Sequence, residues 1–260
     1  MLALVTGASS GIGYELAVEL AKRGYDLVAA SLGERLGPAA DTFKSYGHGV
    51  TEAFVDLSTP EGVEDLWRQV ERVGAPIEVA CLNAGIGLGG LFWETDLKTE
   101  LNLVSLNCAS TVHLAKYVVR QMVERGAGRI LFTSSIAGEM VAPREAVYAA
   151  SKAFVLSFAH SLRYELKDKG VSVTALQPGP TDTDFFHRAG MDDTKVGSEG
   201  KKESDPGDVA RQGIDALFDG KDHVYAGSLK TKIEGKLANV VPGALKGAMH
   251  EKMARPADDK

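Results

Sequence analysis

Residues Thr6–Gly13 read TGASSGIG, directly after the apolar run Leu2–Val5 and at the head of an amphipathic stretch, Ile12–Arg23. A strand, a glycine-rich turn and a helix in immediate succession open a parallel α/β sheet, and the turn falls at the carboxyl edge of the strand. The glycines are spaced GxxxGxG (Gly7, Gly11, Gly13) rather than GxGxxG. Gly7 allows a sharp turn, Gly11 lets backbone approach a pyrophosphate, and Gly13 lets the helix sit close to the sheet. Ser9 and Ser10 offer hydroxyls, and the start of the helix offers unpaired N–H groups and the positive end of a dipole.

The alternation continues down the chain. Short apolar runs at Leu2–Thr6, Leu27–Ser31, Thr51–Val55, Val79–Leu82, Arg129–Thr133, Val171–Leu176 and His223–Tyr225 predict strands. They are near-continuously apolar, as expected where helices cover both faces of a parallel sheet. Between them, helices are predicted at Ile12–Arg23, Pro38–Tyr46, Pro60–Val73, Thr99–Arg125, Tyr148–Lys169 and Pro206–Phe218. The expected fold is a single-domain, doubly wound (Rossmann) parallel sheet of about seven strands spanning residues 1–260. Two regions break the rhythm. Residues 184–206 are polar and rich in Gly, Asp and Lys, which fits a mobile flap over the substrate or a surface excursion. Residues 227–260 form a basic, moderately apolar tail carrying Ile233, Leu237, Val240, Val241, Leu245 and Met249. A helical tail packed on its own or a neighbouring subunit is the expectation there, with partner or membrane contact as the alternative.

Composition narrows the function classes. The 260 residues carry a net charge of −6 and show no basic stripe, which argues against a nucleic-acid partner. No apolar run approaches the roughly 20 residues of a membrane span. Two cysteines, Cys81 and Cys108, make no disulfide framework, and with a first strand starting at Leu2 no cleaved leader is expected, so a reducing cytoplasm is the anticipated compartment. The six histidines lack ligand spacing, and no metal site is expected.

The chemistry-bearing residues lie downstream. Asn83-Ala84-Gly85 follows the fourth strand, at the edge where ligands of such sheets bind. Asp56, after the third strand, is placed to accept from an adenine amino group or to cap the next helix. Tyr148 and Lys152 are spaced i, i+4 and share one helix face. An ammonium beside a phenol would lower its pKa towards neutrality and make it a usable general acid and base. Ser135, at the end of the fifth strand, can hold a substrate oxygen, and an amide at Asn107 can anchor a water on the proton path. Cys108 is expected as a buried thiol and His187 as an exposed side chain. Leu88, Leu91, Phe92, Trp93, Met140, Phe185 and Phe186 fall on loops expected around the reacting ring, which would make an apolar pocket; Glu139 among them is expected to face solvent, with recognition of a cationic substrate as the alternative.

Taken together, TGASSGIG (Thr6–Gly13), Asn83-Ala84-Gly85, Asn107, Ser135, YAASK (Tyr148–Lys152) and PGPTDT (Pro178–Thr183) resemble the short-chain dehydrogenase/reductase family over about residues 1–185. The resemblance implies a catalytic tetrad of Asn107, Ser135, Tyr148 and Lys152. It implies nicotinamide-cofactor contacts from Gly7, Ser9, Ser10, Gly11, Ile12, Gly13, Ser31, Arg35, Asp56, Leu57, Asn83, Ala84, Gly85, Tyr148, Lys152, Pro178, Gly179, Thr181 and Thr183. Where the family places an acid for NAD or an Arg for NADP, this chain has Ser31-Leu32. Ser31 removes a repulsive charge and Arg35 is within reach of a 2′-phosphate, so NADP(H) is favoured, with NAD(H) possible. The implied reaction interconverts a carbonyl, expected to be hydrophobic, and a secondary alcohol, in a homodimer or homotetramer. A non-catalytic cofactor sensor on the same fold is the alternative, and an isomerase or lyase with a transient redox step a third.

Overall fold

The computed structural model describes residues 1–195, 197, 204–228, 231, 233 and 243–255. Seven strands form one all-parallel sheet: β1 (Leu2–Thr6), β2 (Asp26–Ser31), β3 (Val50–Phe54), β4 (Ile77–Leu82), β5 (Gly128–Thr133), β6 (Val171–Pro178) and β7 (His223–Ala226). Their order is β3-β2-β1-β4-β5-β6-β7. The helices are α1 (Gly11–Lys22), α2 (Leu36–Lys44), α3 (Pro60–Val73), α4 (Leu97–Val104), α5 (Ser110–Arg125), α6 (Ala146–Leu166), α7 (Phe185–Arg188), α8 (Pro206–Phe218) and α9 (Gly243–Ala254). None of the described helices is long and apolar enough to cross a membrane.

The strands are apolar on both faces because both faces are covered. Alternate residues of β1 go to opposite sides. Leu2 and Leu4 pack with Leu66, Val118, Met122 and Val155 from α3, α5 and α6. Ala3 and Val5 pack with Leu16, Leu20, Phe43, Ile214 and Leu217 from α1, α2 and α8. The chain reverses its winding at β1, which pairs with β2 on one side and β4 on the other. A crevice therefore opens beyond the carboxyl ends of these central strands.

Helix starts follow local chemistry. The Thr59 hydroxyl accepts from the Gly62 N–H at 3.1 Å, and Pro60 occupies the first turn of α3, where a missing N–H costs nothing. Gly74, at φ 70°, closes that helix in the left-handed region. Buried Leu36 draws the start of α2 two residues ahead of the Pro38 expected from sequence. The expected continuous helix Thr99–Arg125 is corrected in one respect: Ser105–Ala109 forms a π turn between α4 and α5. The wider i→i+5 bonding accommodates one extra residue, and its inward-facing side chain is Asn107.

Candidate active site

The carboxyl ends of β1, β4, β5 and β6 surround a cavity of about 480 Å³. Its floor at one end is the glycine turn. A Cβ at Gly13 would overlap the Gly7 carbonyl and the Asn83 amide, and one at Gly7 would come within 2.9 Å of Asn83 Nδ2. Gly7 and Gly11 hold φ of 70° and 57°, a region that L side chains rarely adopt. Ser10 precedes α1 without a side-chain cap, so the first N–H groups of that helix are left for an incoming acceptor. Thr6 fastens the turn to its neighbour: its Oγ1 accepts from the Asn83 and Ala84 N–H groups at 2.9 and 3.0 Å. Asn83 Nδ2 answers by donating to the Thr6 carbonyl at 3.1 Å. A backbone cradle with open donors fits the phosphates of a dinucleotide.

Every residue expected at this end of the cleft lines the cavity except Arg35. Its guanidinium pairs with the Asp184 carboxylate, which it holds below the usual carboxylate range. The Ser31 and Ser9 hydroxyls share a hydrogen bond of 2.8 Å, so no charge stands at the end of β2. Asp56 Oδ1 accepts from the Ser58 N–H and hydroxyl at 2.9 and 2.7 Å, and Thr59 rather than Asp56 caps α3. Arg188, from the region expected as a flap, reaches in and donates to the Ser10 hydroxyl at 3.3 Å.

The other end gathers the titratable groups. Tyr148, Lys152, Ser135 and Asn107 are all buried. Tyr148 lies in the first turn of α6, and Lys152 one turn on. Lys152 Nζ donates to the Thr133 carbonyl at 3.0 Å and sits 5.8 Å from the centre of the Tyr148 ring. Asn107 Oδ1 accepts from the Ile86 N–H, and its Nδ2 donates to the Ile86 carbonyl (both 2.9 Å) and the Ser151 hydroxyl (3.0 Å). Gly85 is hemmed between these two side chains; a Cβ there would lie 3.0 Å from Asn107 Oδ1 and 3.2 Å from Lys152 Nζ.

The electrostatics differ from the sequence expectation. Burial pushes the Tyr148 phenol above its ordinary value, the nearby Glu145 carboxylate adds to this, and a hydrogen bond with Ser135 acts the other way. Lys152 does not bring the phenol down, because its ammonium lies over the ring and bonds to backbone. Burial instead lowers Lys152 to about 8. Burial thus favours the protonated phenol, beside an amine held near 8.

A short-chain dehydrogenase family description matches residues 1–194. The 1-deoxy-11-beta-hydroxypentalenate dehydrogenase of Streptomyces exfoliatus is 35% identical over 206 residues, covering 76% of this chain and 75% of that one. The 3-oxoacyl-[acyl-carrier-protein] reductase FabG of Escherichia coli K12 is 31% identical over 197 residues, 75% of this chain and 79% of that one. The chain belongs to the short-chain dehydrogenase family. Among solved structures, a short-chain dehydrogenase from Sphingobium yanoikuyae in complex with NADPH superposes with a TM-score of 0.82 at 27% identity, over 100% of this chain and 99% of that one. The family is one of oxidoreductases, and the parallel sheet is its fold.

Against that family frame, several sequence expectations shift. Met140, Phe185 and Phe186 line the cavity, but Leu88 and Leu91 do not, and Phe92 and Trp93 are exposed on the outer surface. Glu139 does not face solvent freely: it accepts from Gln177 Nε2 at 2.7 Å and from the Tyr225 hydroxyl at 3.0 Å. Cys108 is only half-buried, with desolvation raising its thiol, whereas Cys81 is buried and pushed up to about 12. His187 is exposed, as expected, and pairs with Asp192 at 2.6 Å. The region read as a polar flap enters as α7, whose Phe186 packs with Ala189 and Met191. Residues 196 and 198–203 of that region, and Leu237, Val240 and Val241 of the tail, lie outside the described residues.

Sequence reasoning missed Thr6, Glu145, Arg188, His250 and Met253. Thr6 was legible as the residue that closes β1, and Glu145 as the acid three residues before Tyr148, next to the start of α6. His250 and Met253 line the cavity from α9, far along the chain, and no local pattern marks them.

Proposed function

We propose that this chain is an NADP(H)-dependent oxidoreductase that interconverts a carbonyl and a secondary alcohol, with Tyr148, Ser135, Lys152 and Asn107 as its working residues. The observation that carries the reading is the convergence of buried Tyr148, Ser135 and Lys152 at one end of the cavity whose other end is the glycine cradle; Asn107 does not line the cavity but is buried behind Gly85, bonded to Ile86 and Ser151. A nicotinamide cofactor seated on that cradle supplies or accepts the hydride. Tyr148, kept protonated by burial, gives its proton to the carbonyl oxygen in the reductive direction. Ser135, which lines the cavity with Tyr148 and whose hydroxyl donates to the Pro178 carbonyl at 3.4 Å and accepts from the Ala137 N–H at 3.1 Å, steadies that oxygen as negative charge develops. Lys152 holds the cofactor ribose and passes protons towards the phenol, and Asn107 locks the π turn and the Gly85 loop that frame it.

The uncharged Ser9–Ser31 pair supports NADP(H) over NAD(H), because no carboxylate repels a 2′-phosphate. The Arg35–Asp184 pair is exposed, so freeing Arg35 for that phosphate costs no more than about 1 kcal/mol. The NADPH of the Sphingobium neighbour and the NAD of a Burkholderia phymatum one support a nicotinamide cofactor without choosing between the two. The apolar lining from Met140, Phe185, Phe186 and Met253 suits a hydrophobic substrate. We further propose one domain that works as a homodimer or homotetramer. Exposed Leu97, Leu101 and Val104 on α4 support this, together with the apolar groove between Phe92, Val104, Val147 and Ala150. Two free cysteines support a reducing cytoplasmic setting.

The test is nicotinamide consumption across a panel of carbonyl compounds, by wild type and Tyr148→Phe. Wild type should turn over, and the variant should lose about 10²- to 10⁴-fold in kcat while still binding NADPH. Equal NADPH binding with no consumption by either protein would replace the reading with a cofactor sensor. Fluorescence titration giving tighter NADH than NADPH binding would reverse the cofactor preference.

A further inference from the structure

A second polar pair faces the cavity beside the Tyr148 group. Glu145 and His250 are both buried, both line the cavity, and His250 Nε2 lies 2.8 Å from Glu145 Oε2. Glu145 immediately precedes α6, three residues ahead of Tyr148, and both line the cavity. His250 comes from α9, more than a hundred residues later.

The contact between α9 and the catalytic helix is braced on either side. Arg144 Nε donates to Glu251 Oε1 at 3.1 Å, and Arg144 itself holds φ 67°, a conformation uncommon for a residue with a side chain. Gly247 packs close to Val141, where a Cβ would meet Val141 Cγ1 at 3.3 Å. The tail helix is thereby fixed as a wall of the cavity, with Met253 adding an apolar contact beside His250.

The hydrogen-bond inventory of the pair is incomplete. One carboxylate oxygen of Glu145 is engaged by His250; among the described residues the other has no hydrogen-bond partner, and neither has His250 Nδ1. Glu145 lines the cavity, so its second carboxylate oxygen is available to a ligand there. The other carboxylate of this neighbourhood, Glu139, is already met by Gln177 and Tyr225. Met140, Phe185, Phe186 and Met253 add apolar side chains to the same cavity. A ligand group that donates a hydrogen bond completes this site; an alkyl group leaves it unpaired.

We propose that Glu145 and His250 form a recognition site for a hydrogen-bond donor on the substrate, a hydroxyl or an amino group a few bonds from the reacting carbon. The inference rests on the carbonyl–alcohol reading above and deepens it: the substrate is a ketone or secondary alcohol that is largely apolar but carries one such donor. Glu145 accepts from the donor, and His250 fixes the carboxylate and closes the site from the tail.

The experiment compares three ketones of equal skeleton bearing a hydroxyl, an amino or a methyl group at the same remote carbon, with NADPH as the reductant. Wild type should favour the hydroxyl or amino ketone over the methyl ketone by about 10- to 100-fold in kcat/KM, the value of one hydrogen bond to a charged group. The hydroxyl and amino arms decide between a neutral and a cationic donor. Glu145→Gln and, independently, His250→Gln should each shrink that ratio at least several-fold; a merely structural role would lower all three substrates together and leave the ratio intact. Calorimetric binding of the same compounds to Tyr148→Phe with NADPH reads the preference without turnover. A wild-type ratio near one, or a ratio that both variants preserve, overturns the proposal. Discrimination in binding without reduction of any ketone upholds the site and defeats the redox reading instead.

Discussion

Replacing Thr6 by Val keeps the shape of the side chain and removes its hydroxyl, so the effect isolates one hydrogen-bonded atom. Thr6 is 2% exposed, and its Oγ1 receives the N–H groups of both Asn83 and Ala84. Each donor left unpaired in a buried setting costs about 1–3 kcal/mol. Asn83 and Ala84 are only half-buried, so water relieves part of this, and we expect a net loss of about 3 kcal/mol. For a chain of this size, that corresponds to a fall of roughly 6–12 °C in Tm. Thr6→Ser is the matched control: it keeps the acceptor, loses a methyl, and should cost about 1 kcal/mol. Equilibrium urea unfolding followed by far-UV circular dichroism measures both. A Thr6→Val protein within 0.5 kcal/mol of wild type would mean that the hydroxyl does not tie the turn to β4, and the account of how the cradle is held would be wrong.

Gly13→Ala places a methyl against the Gly7 carbonyl and the Asn83 amide, and it should lower stability by about 1–3 kcal/mol and weaken NADPH binding in a fluorescence titration; unchanged affinity would show that the turn has room to spare. Burial holds Lys152 near 8, below its ordinary value, so between about pH 8 and pH 10 the unfolded chain binds more protons at this residue than the folded one. Stability attributable to Lys152 therefore rises with pH across that window, by up to about 3 kcal/mol, and the rise should vanish in Lys152→Met; parallel pH–stability curves for the two proteins would refute it. Leu101→Glu, on the exposed face of α4, should convert the assembly to monomers in light scattering with an unchanged circular dichroism spectrum. A wild type that is itself monomeric, or a variant that stays associated, removes the proposed interface.

The fold was legible because its signals are local. Each strand is an apolar run long enough to be covered on two faces, and Thr6–Gly13 marks the carboxyl edge within eight residues. The Tyr148–Lys152 spacing and the serine closing β5 likewise place side chains by helical and strand periodicity alone. What local pattern cannot carry is the meeting of distant segments. Nothing around His250 announces that α9 reaches Glu145, and nothing around Arg35 announces that Asp184 holds its guanidinium. Phe92 and Trp93 resemble pocket residues by type, yet the loop turns them outward. The phenol's pKa was misread for a related reason. Sequence spacing gives the approach of Lys152 but not its direction, and the ammonium points to the Thr133 carbonyl.

The widened turn at Ser105–Ala109 ties two surfaces together. An inserted residue in a helix rotates all that follows by about 100°, so α4 and α5 are phased to present Leu97 and Leu101 outside while Asn107 reaches the interior. Deleting a single residue there would restore ordinary winding and put one of those two orientations out of step. An insertion or deletion in the outer apolar stripe would therefore displace the amide beneath it, whereas a substitution there would leave the winding intact.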